Sequence, residues 1–323
     1  MILIVTLNPL LERRYKVHQL NTGEAHRNNS MIFAAGGKGL NVSRQLKKLG
    51  LKSFNYFFSG GSDGKIYREI VKQENLEFTF IQTKAETRNA SVILSEKEKN
   101  VTTIFSKDPV ITQTEVLEFK SKLDKMIQNC EMVIFSGSSP CPETDSIFPF
   151  GIGLANKYDK VSVCDTYGTA LKSCIDALPT MIHNNFAEIE NAFKIKLDSE
   201  NSVLDFINQL YKKDIKRVFL TNGSKNFYAS NFDYIYKVNP IKIKSVDATG
   251  SGDCFVAGIV KGWVNSEVFE DILKYSTALA GLNAASFEVA SVNPNEAELI
   301  KEKVEIFPIG KKAKTIDDSP HEI

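Results

Sequence analysis

The sequence is poor in the residues that cross-link chains or bind metals. Its 323 residues include five cysteines and four histidines. The cysteines are odd in number and form no C-x-x-C pair, and no H-E-x-x-H segment occurs. A disulfide framework, a structural zinc site and a zinc hydrolase are therefore disfavoured. We expect the cysteines to be reduced thiols in or near the core of a cytoplasmic protein.

Neither charge nor hydrophobicity is concentrated in one part of the chain. The 40 basic and 39 acidic residues leave a formal net charge of +1, which is too small to attract nucleic acid or an anionic membrane. No run of about 18 apolar residues is present, and the N-terminus lacks the pattern of a secretory leader. We therefore predict no nucleic-acid partner and no membrane partner, and expect any anion site to be local.

The chain does contain the alternation that is typical of an α/β protein. Met1–Thr6 is an apolar run with β-branched residues, and strand-like and helix-like segments alternate from Glu115 onward. This pattern predicts a mostly parallel sheet with helices on both faces. The strands predicted in the second half are Met132–Ser136, Val161–Asp165, Met181–His183 and Arg217–Thr221.

Four shorter β-like segments fall outside this alternation. They are Tyr15–Val17, Ser30–Ala34, Ser91–Leu94 and Val101–Phe105, and the last two flank a charged hairpin turn. We interpret the four as one small separate sheet. The polar stretch Gly310–Ile323 is predicted to be a flexible tail.

The strongest chemical signal is the segment Val246–Val260, VDATGSGDCFVAGIV. Gly250 and Gly252 form a turn that leads into an apolar helix, whose start adds the positive end of the helix dipole. Such a turn can bind phosphoryl oxygens through backbone amides, and Asp253 could accept a proton from an attacking hydroxyl. In isolation, the same residues could equally be a tight turn with Asp253 as a helix cap.

The second signal is the segment Ala34–Gly50, AAGGKGLNVSRQLKKLG. Its glycines bracket Lys38 at the mouth of a helix, and Asn41 lies one turn further on. An ammonium beside a glycine turn can form a binding site for a phosphate or for sugar hydroxyls. The alternative is an ordinary loop with a solvated lysine.

Together the two segments resemble the G-G-K-G-x-N and D-[TA]-x-G-[SA]-G-D signatures of the ribokinase-like PfkB carbohydrate kinases, in the family's order. The segment Thr6–Pro9, TLNP, resembles the corresponding segment in the branch that contains 1-phosphofructokinases and tagatose-6-phosphate kinases. The resemblance implies a three-layer α/β/α sandwich with a mostly parallel sheet, as a single kinase domain over residues 1–309. It also implies a small β-lid from about residues 11–35 and 88–106.

The resemblance further implies a role for each matching residue. Asp253 would be the general base, and the backbone of Ala248, Gly250, Ser251 and Gly252 would bind the transferred phosphoryl group. The substrate-binding residues implied are Glu12, Gly36, Gly37, Lys38, Asn41, Arg88, Ser136 and Gly137. The residues implied for ATP are Asn185, Glu188, Thr221, Gly223, Ser224, Thr249 and Asn283. Asn185 and Glu188 would organise Mg²⁺ through water, with no direct protein ligand.

Three positions depart from the family pattern. Glu12 stands where an aspartate is common, which lengthens the reach of the carboxylate by a methylene group and could change which ketose fits. His183-Asn184-Asn185 replaces Lys-Pro-Asn and removes an ammonium. The usual late G-x-x-G reads Gly223 to Asn226. None of these changes touches Asp253.

The expected function is transfer of the ATP γ-phosphoryl group to a phosphorylated ketohexose. Fructose 1-phosphate is the first expectation for the substrate, and tagatose 6-phosphate is the alternative. A sugar-phosphate sensor without turnover is a less favoured reading. In relatives of this branch the lids of two subunits clasp each other, so the resemblance also implies a homodimer.

Overall fold

The computed structural model describes residues 1–27 and 30–311. Its strands are β1 (Ile2–Thr6), β2 (Leu10–Val17), β3 (Ser30–Gly36), β4 (Ser53–Gly60), β5 (Glu77–Thr83), β6 (Asn89–Ser95), β7 (Asn100–Phe105), β8 (Met132–Ser138), β9 (Val161–Tyr167), β10 (Met181–Asn185), β11 (Arg217–Thr221), β12 (Phe227–Asn231), β13 (Tyr234–Asn239) and β14 (Glu305–Lys311).

The helices connect most of these strands. They are α1 (Lys38–Lys48), α2 (Gly61–Gln73), α3 (Gln113–Gln128), α4 (Ile147–Lys157), α5 (Leu171–Asp176), α6 (Phe186–Phe193), α7 (Glu200–Lys212), α8 (Ser251–Val264), α9 (Phe269–Ala284) and α10 (Pro294–Ile300). Short 3₁₀ turns lie at Pro142–Thr144 and Lys301–Lys303.

The strands of the large sheet follow the order β14-β13-β12-β11-β10-β9-β8-β1-β4-β5. From β5 to β11 every neighbouring pair is parallel, and β12, β13 and β14 extend the sheet antiparallel. The parallel strands are nearly continuous apolar runs because helices cover both faces of the sheet. The α/β class, the mostly parallel sheet and the three layers predicted from the sequence are confirmed.

Helix α8 is the central element of one helical layer. Its residues Cys254–Val260 are all buried, and α8 packs on the sheet on one side and against α1 and α9 on the others. A helix that is apolar around its whole circumference can be stable only when it is enclosed in this way. The enclosure fixes the position of Asp253, which lies in the first turn of α8.

The small separate sheet predicted from the sequence is present. It has the strand order β3-β2-β6-β7, with β2 and β6 parallel and the other pairs antiparallel. The predicted segment at Tyr15 proves to be the end of the longer strand β2. We refer to β2, β3, β6 and β7 as the lid sheet.

Several elements differ from the sequence prediction or add to it. Strands β5, β12, β13 and β14 were not predicted. Residues 310 and 311, placed in the predicted tail, complete β14, and the rest of that tail lies outside the described residues. No helix in residues 1–27 and 30–311 is long and apolar enough to cross a membrane.

Candidate active site

A cavity of about 650 Å³ lies between the lid sheet and the carboxyl ends of the parallel strands. This edge of an open α/β sheet is where ligands usually bind. Most of the residues singled out from the sequence line the cavity: Glu12, Gly37, Lys38, Asn41, Arg88, Asn185, Glu188, Thr221, Gly223, Ala248, Thr249, Gly250, Ser251, Gly252 and Asp253.

An apolar pocket of about 280 Å³ adjoins this cavity. The two share the rim formed by Thr221, Gly223, Ala248, Ser251 and Gly252. Ser224, also predicted from the sequence, lines the apolar pocket only, where hydrocarbon side chains from α8, α9 and the segment before it form the walls. A ligand with a flat apolar group in this pocket could place a charged chain across the shared rim and into the larger cavity.

The turn before α8 forms the predicted anion site. Gly250 has φ of 79°, and a Cβ there would meet Val289 Cγ1 at 2.5 Å, so both conformation and space favour glycine. The amides of Gly252 and Asp253 belong to the first helical turn and have no intrahelical acceptor. Two other amides of the turn are bonded internally: Thr249 donates to Asp247 Oδ1 at 2.9 Å, and Ser251 donates to the Ala248 carbonyl at 3.1 Å. The free donors are therefore fewer than the sequence suggested.

Asp253 is buried at the floor of the cavity, where Asn41 Nδ2 donates to its Oδ2 at 2.8 Å. Burial, reinforced by the negative charge of Asp165, raises the pKa of Asp253 to about 7. Lys38 and the Asn41 hydrogen bond act in the opposite direction. A carboxylate with a pKa near neutrality is suited to accept a proton from an alcohol in the course of a reaction.

Lys38 lies among three carboxylates. Its Nζ is 3.0 Å from Glu188 Oε1 and 3.3 Å from Asp165 Oδ1. Burial alone would lower the pKa of Lys38, but Asp165, Glu188 and Asp253 together raise it, so the ammonium stays charged. Lys38 thus provides one fixed positive charge where a phosphoryl group could be transferred.

The pair Asn185 and Glu188 forms the capping box of α6. Asn185 Oδ1 accepts from the Glu188 amide at 2.9 Å, and Glu188 Oε2 accepts from the Asn185 amide at 3.0 Å. Glu188 Oε2 also accepts from Asn184 Nδ2 at 3.0 Å. The motif therefore has a structural role at a helix start, which leaves Glu188 Oε1 for Lys38.

At the lid side of the cavity, Glu12 is held by Arg14. Arg14 Nε is 3.3 Å from Glu12 Oε2, and Arg14 Nη2 is 3.4 Å from Asp247 Oδ2. Burial raises the pKa of Glu12 despite the opposing charge of Arg14. Gly36 does not line the cavity. Gly36 makes room for the Glu12 side chain, because a Cβ at Gly36 would lie 2.3 Å from Glu12 Oε1.

Arg88 lines the cavity just before the lid strand β6. Its Nη1 donates to Asp108 Oδ1 at 3.1 Å, its Nη2 donates to the Asn8 carbonyl at 3.2 Å, and it stacks on Phe105. Its Nε is buried and has no partner among the described residues. The guanidinium is therefore oriented by the protein, and its Nε donor is unused.

Three further predicted residues lie beside the cavity and not on its wall. Ser136 Oγ donates to Asp165 Oδ2 at 2.7 Å, and Gly137 has φ of 98° next to Lys38. Asn283 is buried behind the anion turn, where its Nδ2 donates to the Thr249 carbonyl at 2.7 Å and its Oδ1 accepts from the Ala290 amide at 2.7 Å. Asn283 thus fixes the turn and does not line the apolar pocket.

Sequence reasoning did not select Asp165. Its carboxylate is fully buried and accepts from Ser136, and it is 3.0 Å from His183 Nδ1. Although burial alone would raise the pKa of Asp165, Lys38 and His183 hold it below its usual value. A signal was available, since Ser136, Asp165 and His183 stand at the carboxyl ends of neighbouring strands.

Arg14 was also missed. It is an ordinary-looking position in a lid strand, and its partners Asp247 and the Phe287 carbonyl are more than two hundred positions away in the chain. Nothing local in the sequence connects these segments.

Over residues 5–296 the chain matches the family model described as pfkB family carbohydrate kinase. A Staphylococcus epidermidis protein named tagatose-6-phosphate kinase is 31% identical over 312 residues, which span 96% of this chain and 100% of that protein.

Solved structures show the same fold. A Thermotoga maritima protein described as "Possible 1-phosphofructokinase" superposes with a TM-score of 0.87 at 22% identity, covering 96% of this chain and 99% of that one. Escherichia coli phosphofructokinase-2 in complex with fructose-6-phosphate superposes with a TM-score of 0.82 at 19% identity, covering 94% and 98%. At such identities the likeness establishes the fold.

Proposed function

Because this chain belongs to the pfkB family of carbohydrate kinases, we propose that it transfers the γ-phosphoryl group of ATP to a hydroxyl of a phosphorylated ketohexose. The observation that carries the proposal is the position of Asp253. Its carboxylate, with a pKa raised to about 7, lies in the first turn of α8 beside the unbonded amides of Gly252 and Asp253. A base and an anion site thus lie next to each other in the same cavity.

In this proposal the substrate hydroxyl gives up its proton to the Asp253 carboxylate as its oxygen bonds to the γ-phosphorus. The bond from that phosphorus to the oxygen shared with the β-phosphate breaks, and ADP is the leaving group. The transferred phosphoryl group lies against the α8 amides and near the Lys38 ammonium. Catalysis then depends on positioning and on charges that are already oriented before the substrate arrives. Asn41 holds the carboxylate through its hydrogen bond at 2.8 Å.

ATP would occupy the two adjoining spaces. The adenine would enter the apolar pocket lined by Ser224 and Phe255, and the triphosphate would cross the shared rim at Thr221 and Gly223 into the larger cavity. ADP would leave by the same route.

Mg²⁺ is the ion that such a reaction requires, and the donor set accommodates it indirectly. The described residues contain no group of three or more His, Cys, Asp or Glu side chains arranged to hold a metal. Mg²⁺ commonly keeps several waters and binds to substrate phosphates and one or two carboxylates. Glu188 would hold the hydrated ion beside the triphosphate, where it would neutralise phosphate charge.

The phosphate of the sugar would bind at the opposite end of the cavity, at Arg88. Tagatose 6-phosphate is the main candidate, because the relative of that name is similar over its full length. Fructose 1-phosphate, the first expectation from the sequence, remains the alternative, because the TLNP segment resembles the branch that contains both kinds of kinase. As furanoses, both carry a phosphate at one end and a primary hydroxyl at the other.

A coupled ADP-release assay with Mg-ATP tests the proposal. The acceptors compared should be tagatose 6-phosphate, fructose 1-phosphate, fructose 6-phosphate and the free ketohexoses. Turnover on a phosphorylated ketose, with little on the free sugars, is the expected result. Tight binding of a sugar phosphate without any turnover would instead identify a sensor.

We predict that Arg88→Ala raises KM for the sugar phosphate about ten- to a hundredfold, because a charged hydrogen bond to phosphate contributes about 1.5–3 kcal/mol. KM for ATP should change little, since Arg88 is remote from the apolar pocket. Steady-state kinetics with each substrate varied separately measure both. Arg68→Ala is the matched control, because Arg68 lies on α2 and does not line the cavity. A rise confined to the KM for ATP contradicts the assignment.

The pH dependence follows from Asp253. The base must be ionised to accept a proton, so log kcat/KM should fall by about one per pH unit below a pKa near 7 and level off above it. Initial rates at subsaturating sugar phosphate between pH 5.5 and about 9 give this profile. A profile flat down to pH 5.5 would show that a group near pH 7 does not control the reaction.

We also propose that two copies associate through the lid sheet. Met31 and Phe33 of β3 and Ile104 of β7 are 41%, 39% and 61% exposed, and the strand registers place them on the face of the lid sheet that is turned away from the cavity. Apolar side chains clustered on an exposed sheet favour a protein partner. Ile104→Asp should therefore shift the protein from dimer to monomer in light scattering after size exclusion. Leu299→Asp, at an exposed leucine on α10, should not; equal masses for all three proteins would refute the interface.

A further inference from the structure

A second cavity, of about 350 Å³, lies at the opposite edge of the large sheet from the candidate active site. Its walls include Met181 and Arg217, the first residues of β10 and β11, and Trp263 near the end of α8. Asp253 and Trp263 are ten positions apart on α8, so the two sites are separated by roughly 15 Å along the helix axis. The proposed kinase function does not use this cavity.

Arg217 has no acidic partner in the part of the chain that the structure describes. Its guanidinium lies 4.5 Å from the ring centre of Phe232 and 4.6 Å from that of Trp263. Both rings thus lie within cation–π range of the guanidinium, and its N–H groups have no acceptor among the described residues. A partly buried guanidinium with this geometry is preorganised to bind a carboxylate through two parallel hydrogen bonds.

The same cavity contains acceptor oxygens whose hydrogen-bonding capacity is not fully used. Asn231 lies directly opposite Arg217 in the β11–β12 pair, and its Oδ1 is buried with no hydrogen-bond partner among the described residues. Glu267 accepts from Lys261 at 2.8 Å and from Asn265 at 3.1 Å, and both bonds use Oε1. A buried oxygen without a donor costs about 1–3 kcal/mol, so a bound ammonium would find favourable partners here.

The remaining walls are apolar. Phe219, Ile259, Phe269 and Ile272 line the cavity together with Trp263. An occupant with a hydrocarbon side chain would therefore gain from burial. A phosphate ester would fit less well, because its second negative charge would face Glu267 and it offers no donor to Asn231.

We propose that this cavity is a second ligand site and that it binds an α-amino acid with an apolar side chain. The carboxylate pairs with Arg217, the ammonium faces Asn231 Oδ1 and Glu267, and the side chain lies against Trp263. The arrangement matches the carboxylate and the ammonium to Arg217 and Asn231, which have no such partner among the described residues, and the side chain to an apolar wall. It does not depend on the kinase proposal.

Trp263 makes the test direct, because it is the only tryptophan in the chain. The full-length protein is titrated with L-phenylalanine while Trp263 emission is recorded with selective excitation. Two analogues are compared: 3-phenylpropanoate, which lacks the ammonium, and phenethylamine, which lacks the carboxylate. We expect a saturable change with L-phenylalanine and at least about tenfold weaker binding of each analogue, since each loses a charge-assisted contact.

Arg217→Met should abolish the saturable change, whereas Lys216→Met should leave it intact. Lys216 is the adjacent lysine, and its ammonium pairs with Asp214 at 2.9 Å outside the cavity. If Arg217→Met does not fold, Arg217→Lys, which keeps the charge but loses the fork, should still weaken binding at least several-fold. The proposal is overturned if L-phenylalanine gives no saturable change, or if both analogues bind as tightly as L-phenylalanine. It is also overturned if Lys216→Met has the same effect as Arg217→Met.

Discussion

Asp253→Asn is expected to lower kcat by about a thousandfold or more while the protein stays folded, because loss of a general base typically costs 10²–10⁴ in rate. The substitution keeps the shape of the side chain. Asn41 Nδ2, which donates to Asp253 Oδ2 at 2.8 Å, would still find an oxygen acceptor. What is lost is the group that takes the proton from the substrate hydroxyl.

The kinetic measurement should separate this loss from a loss of binding. Affinity for ATP, measured by calorimetry, should stay within a few-fold of the unmodified protein, since the amides of the α8 turn are unchanged. Asp271→Asn is the matched control, because Asp271 is an exposed acid in the first turn of the neighbouring helix α9. Unaltered turnover of Asp253→Asn would remove Asp253 from the role of base.

The same variant should be at least as stable as the unmodified protein above pH 7. Burial raises the folded-state pKa of Asp253 to about 7 from an ordinary value of 3.8, so the folded state binds the proton more tightly than the unfolded state. The stability linked to this proton is complete below the unfolded pKa and is lost as pH rises through 7. Asparagine resembles the protonated form, so the melting temperature at pH 8 should rise or stay the same. A clear fall would mean that the carboxylate stabilises the fold.

The parallel half of the fold could be predicted from sequence because its causes are local. Strands β8 to β11 are short apolar runs separated by amphipathic helices, and this pattern can be recognised in short segments of the sequence. The antiparallel extension could not be predicted in this way. Strand β14 contains Pro308, which argues against a strand in a local reading, and it is tolerated because β14 lies at the edge of the sheet.

The same distinction between local motifs and long-range contacts applies to the residues of the candidate site. Lys38, Asn41 and Asp253 were found because each lies in a dense local motif at a helix start. Asp165 and Arg14 were missed because their importance comes from partners that the fold brings close. The Asn185 and Glu188 motif was found, but its reciprocal capping bonds became evident only from the geometry.

The largest effect on stability should come from Lys38. Lys38→Met would remove the cation that lies 3.3 Å from Asp165 and 3.0 Å from Glu188, while Asp165 stays fully buried. Breaking a buried ion pair from one side costs about 3–5 kcal/mol, because the remaining charge is left without compensation. The pKa of Asp253 should also rise further, since Lys38 normally lowers it, and activity should fall with it.

A double-mutant cycle shows whether this cost comes from the unpaired charge. Lys38→Met, Asp165→Asn and the double variant are unfolded in urea at pH 8, with Lys172→Met, at an exposed lysine near the same sheet edge, as control. Asp165→Asn removes the carboxylate that Lys38→Met leaves unpaired, so the double variant should be less destabilised than the sum of the two single variants, by about 0.5–3 kcal/mol. Strict additivity would mean that Lys38 and Asp165 do not interact. In that case Lys38 would serve catalysis alone.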